Sequence, residues 1–209
     1  MSSEELKRLS SACQVRKMQK GELIFRIGEP CDAFHIVIEG EVKLFVTSAA
    51  GQEKVIEILS PGQSFAEALM FLEKPYIVSA QTLTDVLLVR VSKEGVFNEI
   101  AHDARFSIHM LAGISRRLHS LIQDVEGYAL RNGMQRLIGY LLRDVESTTE
   151  TVRVVTLPAS KATIASRLSL TPEYFSRVLH ELQDNQLIHI DKREIHILDV
   201  QKLVNYGTT

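Results

Sequence analysis

The chain has 209 residues, 45% hydrophobic and 24% charged, with 24 Lys+Arg against 26 Asp+Glu and a formal net charge of -2. That length holds one large or two small domains with real cores, and the balance excludes a disordered or fibrous chain. With no apolar run of about 18 residues and no signal-peptide pattern, the sequence predicts a cytoplasmic protein with no membrane partner, whose two cysteines, Cys13 and Cys31, stay reduced.

Residues 2–20 open on Ser-Ser-Glu-Glu-Leu, a capped helix start with Leu6 and Leu9 inward. From Gly21 the texture changes. Gly21, Gly28, Gly40, Gly51 and Gly62 punctuate short β-rich runs at 22–25, 33–38, 41–46 and 54–59, and further strands follow at 77–82 and 86–91. A helical turn is expected at 66–71. Turn signals about ten residues apart predict an all-β sandwich or barrel.

Residues 95–126 read as helix. Leu111, Ser115, Leu118, Ile122 and Val125 repeat at 4-3-4-3 spacing, with Ile108, Ile114 and Leu121 beside them. That seam suits a dimer interface, or a helix lying on its own barrel, and one helix can do both. A hinge is expected at 127–133. A second helix at 134–145 turns Leu137, Ile138, Leu141 and Leu142 inward, and a polar loop follows at 147–151.

The most informative stretch is 161–193. A short helix at 162–168 turns Ile164, Ala165 and Leu168 inward, followed by a tight turn at Ser169-Leu170. Thr171 is then an N-cap and Pro172 sits at N1, where a missing N–H costs nothing. Phe175, Val178, Leu179 and Leu182 recur at i, i+3, i+4, i+7 as a buried stripe, while Glu173, Ser176 and Arg177 share the opposite face. Residues 187–198 alternate apolar and polar on both sides of Asp191 to Glu194, as a β-hairpin does. A helix-turn-helix followed by a hairpin is a winged helix, and its second helix enters a major groove. Residues 1–129 carry 14 Lys+Arg against 17 Asp+Glu, and residues 130–209 carry 10 against 9. Any positive field is therefore local, built from Lys161, Arg167, Arg177, Lys192 and Arg193, which suits specific duplex binding over general coating. His180 lies on the polar side of the same helix, within reach of phosphate, and Thr171 and Tyr174 complete the expected DNA-contacting set.

A glycine-punctuated β-roll, a long helix and a C-terminal winged helix, in that order, resemble the catabolite activator/fumarate–nitrate reduction regulator family of bacterial transcription factors. The resemblance rests on Glu39-Gly-Glu-Val, Pro61-Gly-Gln-Ser-Phe-Ala-Glu and Leu170-Thr-Pro-Glu-Tyr-Phe-Ser-Arg, and covers essentially the whole chain. It implies an α+β fold, with a jelly-roll-like effector domain at 1–100, a dimerisation helix and hinge at 101–129 and a winged-helix domain at 130–209. The partners it implies are double-stranded DNA, a second copy of the chain, RNA polymerase and a small effector.

Glu-x-x-Ser-Arg at Glu173, Ser176 and Arg177 is similar to the fumarate–nitrate type, which reads TTGAT half-sites, and less like the catabolite type, which reads TGTGA. The resemblance places the effector pocket at Phe65, Glu67 and Lys74, and there the chain departs from members that bind cAMP. Ala66 replaces the glycine before the Glu, and the Arg-Ser pair that follows is missing, Lys74 being the only cation between Phe71 and Ala80. A buried phosphate without its bidentate arginine is poorly compensated, so cAMP is disfavoured. Only Cys13 precedes the roll, which disfavours an iron–sulfur centre. Gly51-Gln-Glu-Lys and Phe65-Ala-Glu-Ala-Leu-Met-Phe71 resemble the nitrogen-oxide-responsive dissimilatory nitrate respiration regulators, and that likeness implies a haem cofactor. His35, His102, His109, His119, His180, His189 and His196, the two cysteines and five Met are available, and no ligand to a metal is singled out. No Gly-x-Ser-x-Gly, P-loop, His-Glu-x-x-His or paired-carboxylate motif supports an enzyme.

Overall fold

The computed structural model describes residues 10–143 and 152–208, in two compact units, 1–121 and 122–209. The helix start expected within residues 1–9, the loop at 147–151 and the end of the 134–145 helix lie outside the described residues.

The first unit is a β-sandwich. Its strands are β1 (Cys13–Met18), β2 (Leu23–Phe25), β3 (Ala33–Glu39), β4 (Val42–Thr47), β5 (Glu53–Leu59), β6 (Ser64–Phe65), β7 (Ser79–Thr82) and β8 (Val86–Ser92). They form two antiparallel sheets, ordered β1-β8-β3-β6 and β2-β7-β4-β5. Period-two alternation fills the space between the sheets with Phe25, Val37, Val42, Leu44, Leu59, Phe65, Tyr76 and Leu88. The other face of β3 and β8 presents Phe34 and Val91, which are covered by Met70, Val96 and Phe106. Gly40, at φ 81°, turns β3 into β4 where a Cβ would stand 2.2 Å from the Asp85 carbonyl oxygen, so the Glu-Gly-Glu signature marks a position with no room for a side chain.

Helix α1 (Glu67–Phe71) follows β6. Helix α2 (Lys93–His102) starts on the Ser92 cap, and α3 (Ala104–Leu130) runs for 27 residues. The single helix expected at 95–126 is thus two, because Asp103 is extended, at φ -137° and ψ 107°. Residues 13–18, which follow the short helix start expected in 2–20, form a strand that pairs with β8 in register from Cys13 opposite Val91 to Met18 opposite Val86, a non-local pairing that no local pattern announces. Within residues 127–133 the helix break is narrow. Gly127 lies inside α3, and the break falls at Arg131 and Asn132.

The second unit contains α4 (Gly133–Leu141), β9 (Arg153–Thr156), α5 (Lys161–Arg167), α6 (Pro172–Asp184), β10 (Ile188–Asp191), β11 (Glu194–Ile197) and α7 (Val200–Thr208). The three strands make one antiparallel sheet ordered β10-β11-β9. Leu137, Ile138, Leu141, Ile164, Phe175, Leu179, Leu182, Ile195 and Leu203 are buried within this unit. The architecture is the expected one: a sandwich, a long helix and a winged helix. No described helix is long and apolar enough to cross a membrane.

Candidate nucleic-acid interface

Local chemistry builds the helix pair as the residues demand. The Ser160 hydroxyl accepts from Thr163 N at 3.1 Å and caps α5, and Ser169 makes the turn at φ 55°. The Thr171 hydroxyl accepts from Tyr174 N at 3.2 Å and caps α6, with Pro172 in its first turn. Such a cap stabilises by about 1 kcal/mol. Phe175, Val178, Leu179 and Leu182 are all buried, at 0–1% exposure, so rotation about the α6 axis is fixed by packing. Fixed with it is the outward face, where Glu173, Arg177 and His180 are exposed and Ser176 is half-buried. His180 Nδ1 stands 2.8 Å from the Ser176 carbonyl oxygen, one turn back.

Tyr174 is not simply part of that wet face. It is half-buried, and the Arg177 guanidinium carbon sits 4.9 Å from its ring centroid, a cation–π contact. Lys161 stands at the start of α5, half-exposed. Arg167 departs from the expectation. It is 5% exposed and donates to the Asp124 carboxylate at 2.5 Å, so it ties α5 to the end of α3 and is closed to a phosphate. An Arg in the last turn of a helix looks solvent-facing by spacing alone, and its partner lies 43 residues away.

In the wing, Ile188, Ile195 and Ile197 face the core, while His189 lies opposite His196 and Asp191 opposite Glu194 on the outer face. Lys192 and Arg193 are exposed at the tip. Among the described residues no group of three His, Cys, Asp or Glu side chains is arranged to hold a metal ion.

In the sandwich, Phe65 and Glu67 are buried, at 0% and 8% exposure, and Lys74 lies exposed after α1. Ala66 adopts φ 76°, the left-handed conformation that glycine takes without strain. The interior is filled with rings. Phe25 stacks on Tyr76 at 3.6 Å, and His35 stacks on Phe65 at 5.0 Å. A haem does not fit between these rings as they pack, although His35 Nδ1 is buried without a hydrogen-bond partner among the described residues. Burial, with lesser contributions from Arg90 and Arg16, lowers the His35 pKa to about 4, so the ring is neutral. One feature went unread in the sequence, an outer cleft of about 410 Å³ lined by Asp32, Arg90, Ser92, Lys93, Glu94 and Phe97. Arg90 pairs with Asp32 and Lys93 with Glu73. The pairing of β3 with β8, which sets Ala33 opposite Ser92, brings Asp32 beside the turn from β8 into α2, and the Ser92 cap was the available signal.

A winged helix with a capped second helix, in a chain that also carries a β-sandwich, has the layout of a DNA-binding regulator with a separate sensory domain. Comparison with known proteins gives the same class. The model of the cyclic nucleotide-binding domain matches residues 15–103, and that of the Crp-like helix-turn-helix domain matches residues 135–206. The crystal structure of DNR from Pseudomonas aeruginosa is 35% identical over 99% of this chain and 91% of that one, with a TM-score of 0.51. The CRP-like cAMP-activated global transcriptional regulator of Mycobacterium tuberculosis is 25% identical over 198 residues, 93% of this chain and 88% of its own. FixK2 from Bradyrhizobium japonicum, 21% identical, shares the fold with a TM-score of 0.82 over 92% of this chain and 96% of its own. The chain belongs to the Crp/Fnr family, and is a DNA-binding transcription regulator with an effector-binding domain.

Proposed function

We propose that this regulator works as a homodimer on inverted repeats of TTGAT-type half-sites, under the control of a redox or nitrogen-oxide signal. The observation that carries the DNA reading is the outward face of α6, with Glu173 and Arg177 exposed one turn apart above a fully buried stripe. In a major groove Arg177 donates to guanine O6 and N7, Glu173 accepts from cytosine N4, and the Ser176 hydroxyl approaches a thymine. Arg177 contributes about 1–3 kcal/mol of base discrimination. Thr171, Lys161, His180 and the wing's Lys192 and Arg193 serve the phosphates, which position the helix and carry no sequence information.

Two copies are needed because an inverted repeat presents two half-sites about 34 Å apart. Ile108, Leu111, Leu118, Ile122 and Val125 on α3 are 57–66% exposed, an apolar stripe that a partner helix would cover. Ile114 and Leu121 flank the stripe, less exposed, and Ser115 lies within it. Exposed loops of the sandwich are the surface offered to RNA polymerase.

For the effector, Ala66 and the missing arginine argue against a cyclic nucleotide, and the likeness of 51–54 and 65–71 to the nitrate respiration regulators supports a nitrogen-oxide signal. Such a signal can shift the regulator only by its differential affinity for two states of the dimer.

Gel shift on TTGAT and TGTGA repeats tests the DNA reading: the account expects preference for the first, lost in Arg177→Ala, and equal binding to both would remove the roles given to Glu173, Ser176 and Arg177. An absorption spectrum of protein from haem-sufficient cells, with and without nitric oxide, tests the cofactor. A stoichiometric, gas-sensitive Soret band establishes haem, and a spectrum that stays bare after haem addition rules it out.

A further inference from the structure

We infer that Tyr174 is a positioning residue for Arg177, and that Gly133 is the socket that holds Tyr174 in place. A Cβ added at Gly133 would lie 2.5 Å from Tyr174 Cε1, 2.9 Å from its Cζ and 2.9 Å from Leu170 Cδ2. The Tyr174 ring therefore rests directly on the backbone of the first residue of α4, in space that any other residue would fill. The same ring carries the Arg177 guanidinium at 4.9 Å. Gly133 is itself held by a reciprocal cap, in which Gln135 N donates to Asn132 Oδ1 and Asn132 N donates to Gln135 Oε1, both at 2.9 Å. The result is a chain of contacts: the Asn132 cap, Gly133, the Tyr174 ring, then Arg177.

An exposed arginine has many rotamers, and holding it in one pose before it meets a base reduces the entropy lost on binding. Tyr174 supplies that hold without touching the base. Because the socket is the first turn after the break at Arg131 and Asn132, a shift of α4 against α6 alters which base is read, and not only how tightly the duplex is held. This goes one step beyond the assignment of α6 as the reading helix, and rests on it.

The test uses the full-length protein and two duplexes, the TTGAT inverted repeat and the same duplex with both half-site guanines replaced by adenine. The readout is the ratio of the two affinities, with binding to an unrelated duplex reporting on the folded fraction. Tyr174→Phe keeps the ring and is expected to keep the ratio. Tyr174→Leu removes the ring, and Gly133→Ala displaces it. Each is expected to lower the ratio about two- to fivefold per half-site, the range for a partly exposed cation–π contact, a loss beyond any change in binding to the unrelated duplex. In an Arg177→Ala background Tyr174→Leu should lower the ratio no further. A ratio retained in Tyr174→Leu, or the same fall with Arg177 already removed, overturns the inference while leaving the reading helix intact. A wild-type protein that does not distinguish the TTGAT from the TGTGA repeat overturns the reading helix itself, and the inference with it.

Discussion

His35 stands on β3 at 3% exposure, with its ring packed against those of Phe25 and Phe65. Its pKa of about 4, against an ordinary 6.5, follows first from burial, which disfavours the imidazolium, and then from Arg90 and Arg16. Below pH 6.5 the unfolded chain takes up a proton that the folded chain refuses until about pH 4. The stability this neutral ring confers is therefore full above that window and lost as the pH falls through it, by about 3 kcal/mol in all. Urea unfolding from pH 7.5 down to 4.5 should show that fall, and His35→Phe should make it shallower; an unchanged slope would contradict the assignment. Ala66 makes a second residue-scale prediction. Its φ of 76° is strained for any residue with a Cβ, so Ala66→Gly should raise stability by about 0.5–1 kcal/mol even though glycine is more flexible when unfolded. A melting temperature that drops instead would mean that the alanine methyl is packed to advantage.

At the scale of elements, Arg167 and Asp124 show what an ion pair does once it is enclosed. Asp124→Ala leaves a buried guanidinium without that carboxylate and should cost about 2 kcal/mol of stability, measured by urea unfolding. Because Arg167 is closed to DNA, Arg167→Gln should leave the salt dependence of operator binding unchanged, and a shallower salt slope in that variant would return Arg167 to the phosphate contacts. This pair also marks the limit of what the sequence discloses. Period and caps were legible: the α6 stripe, Thr171 and Pro172, the wing alternation, and most strands of the sandwich could be read from neighbours in sequence. What could not be read depends on distant partners. β1 exists because β8 pairs with it, β6 is two residues long and borrows its register from β3, and β9 pairs with β11. α7 buries Val200 and Leu203 in the unit's core, and its cap, the Asp199 carboxylate accepting from Lys202 N at 3.0 Å, was a legible signal that the alternating wing pattern beside it masked. The Tyr174 contact does depend on a distant partner, since nothing in Glu-Tyr-Phe-Ser-Arg indicates that a glycine 41 positions earlier makes room for the ring.

At the scale of the whole molecule, the exposed stripe on α3 and the reading face on α6 belong to one device only if two chains act together. Leu118 is 59% exposed in the single chain, so Leu118→Asp should leave the fold intact while halving the mass in sedimentation and weakening operator binding at least tenfold, because a lone half-site carries only part of the contact surface. Tight operator binding by that variant would detach the stripe from dimerisation. The measurement that reaches the central claim most directly is a titration of the full chain against a duplex with two inverted TTGAT half-sites, and against a second duplex in which the half-sites are moved apart by half a helical turn, with the bound mass determined by sedimentation. The account predicts two chains per duplex on the first and a large loss of affinity on the second, since the two α6 helices would then face opposite sides of the DNA. One chain per duplex, with equal affinity for both spacings, would contradict it.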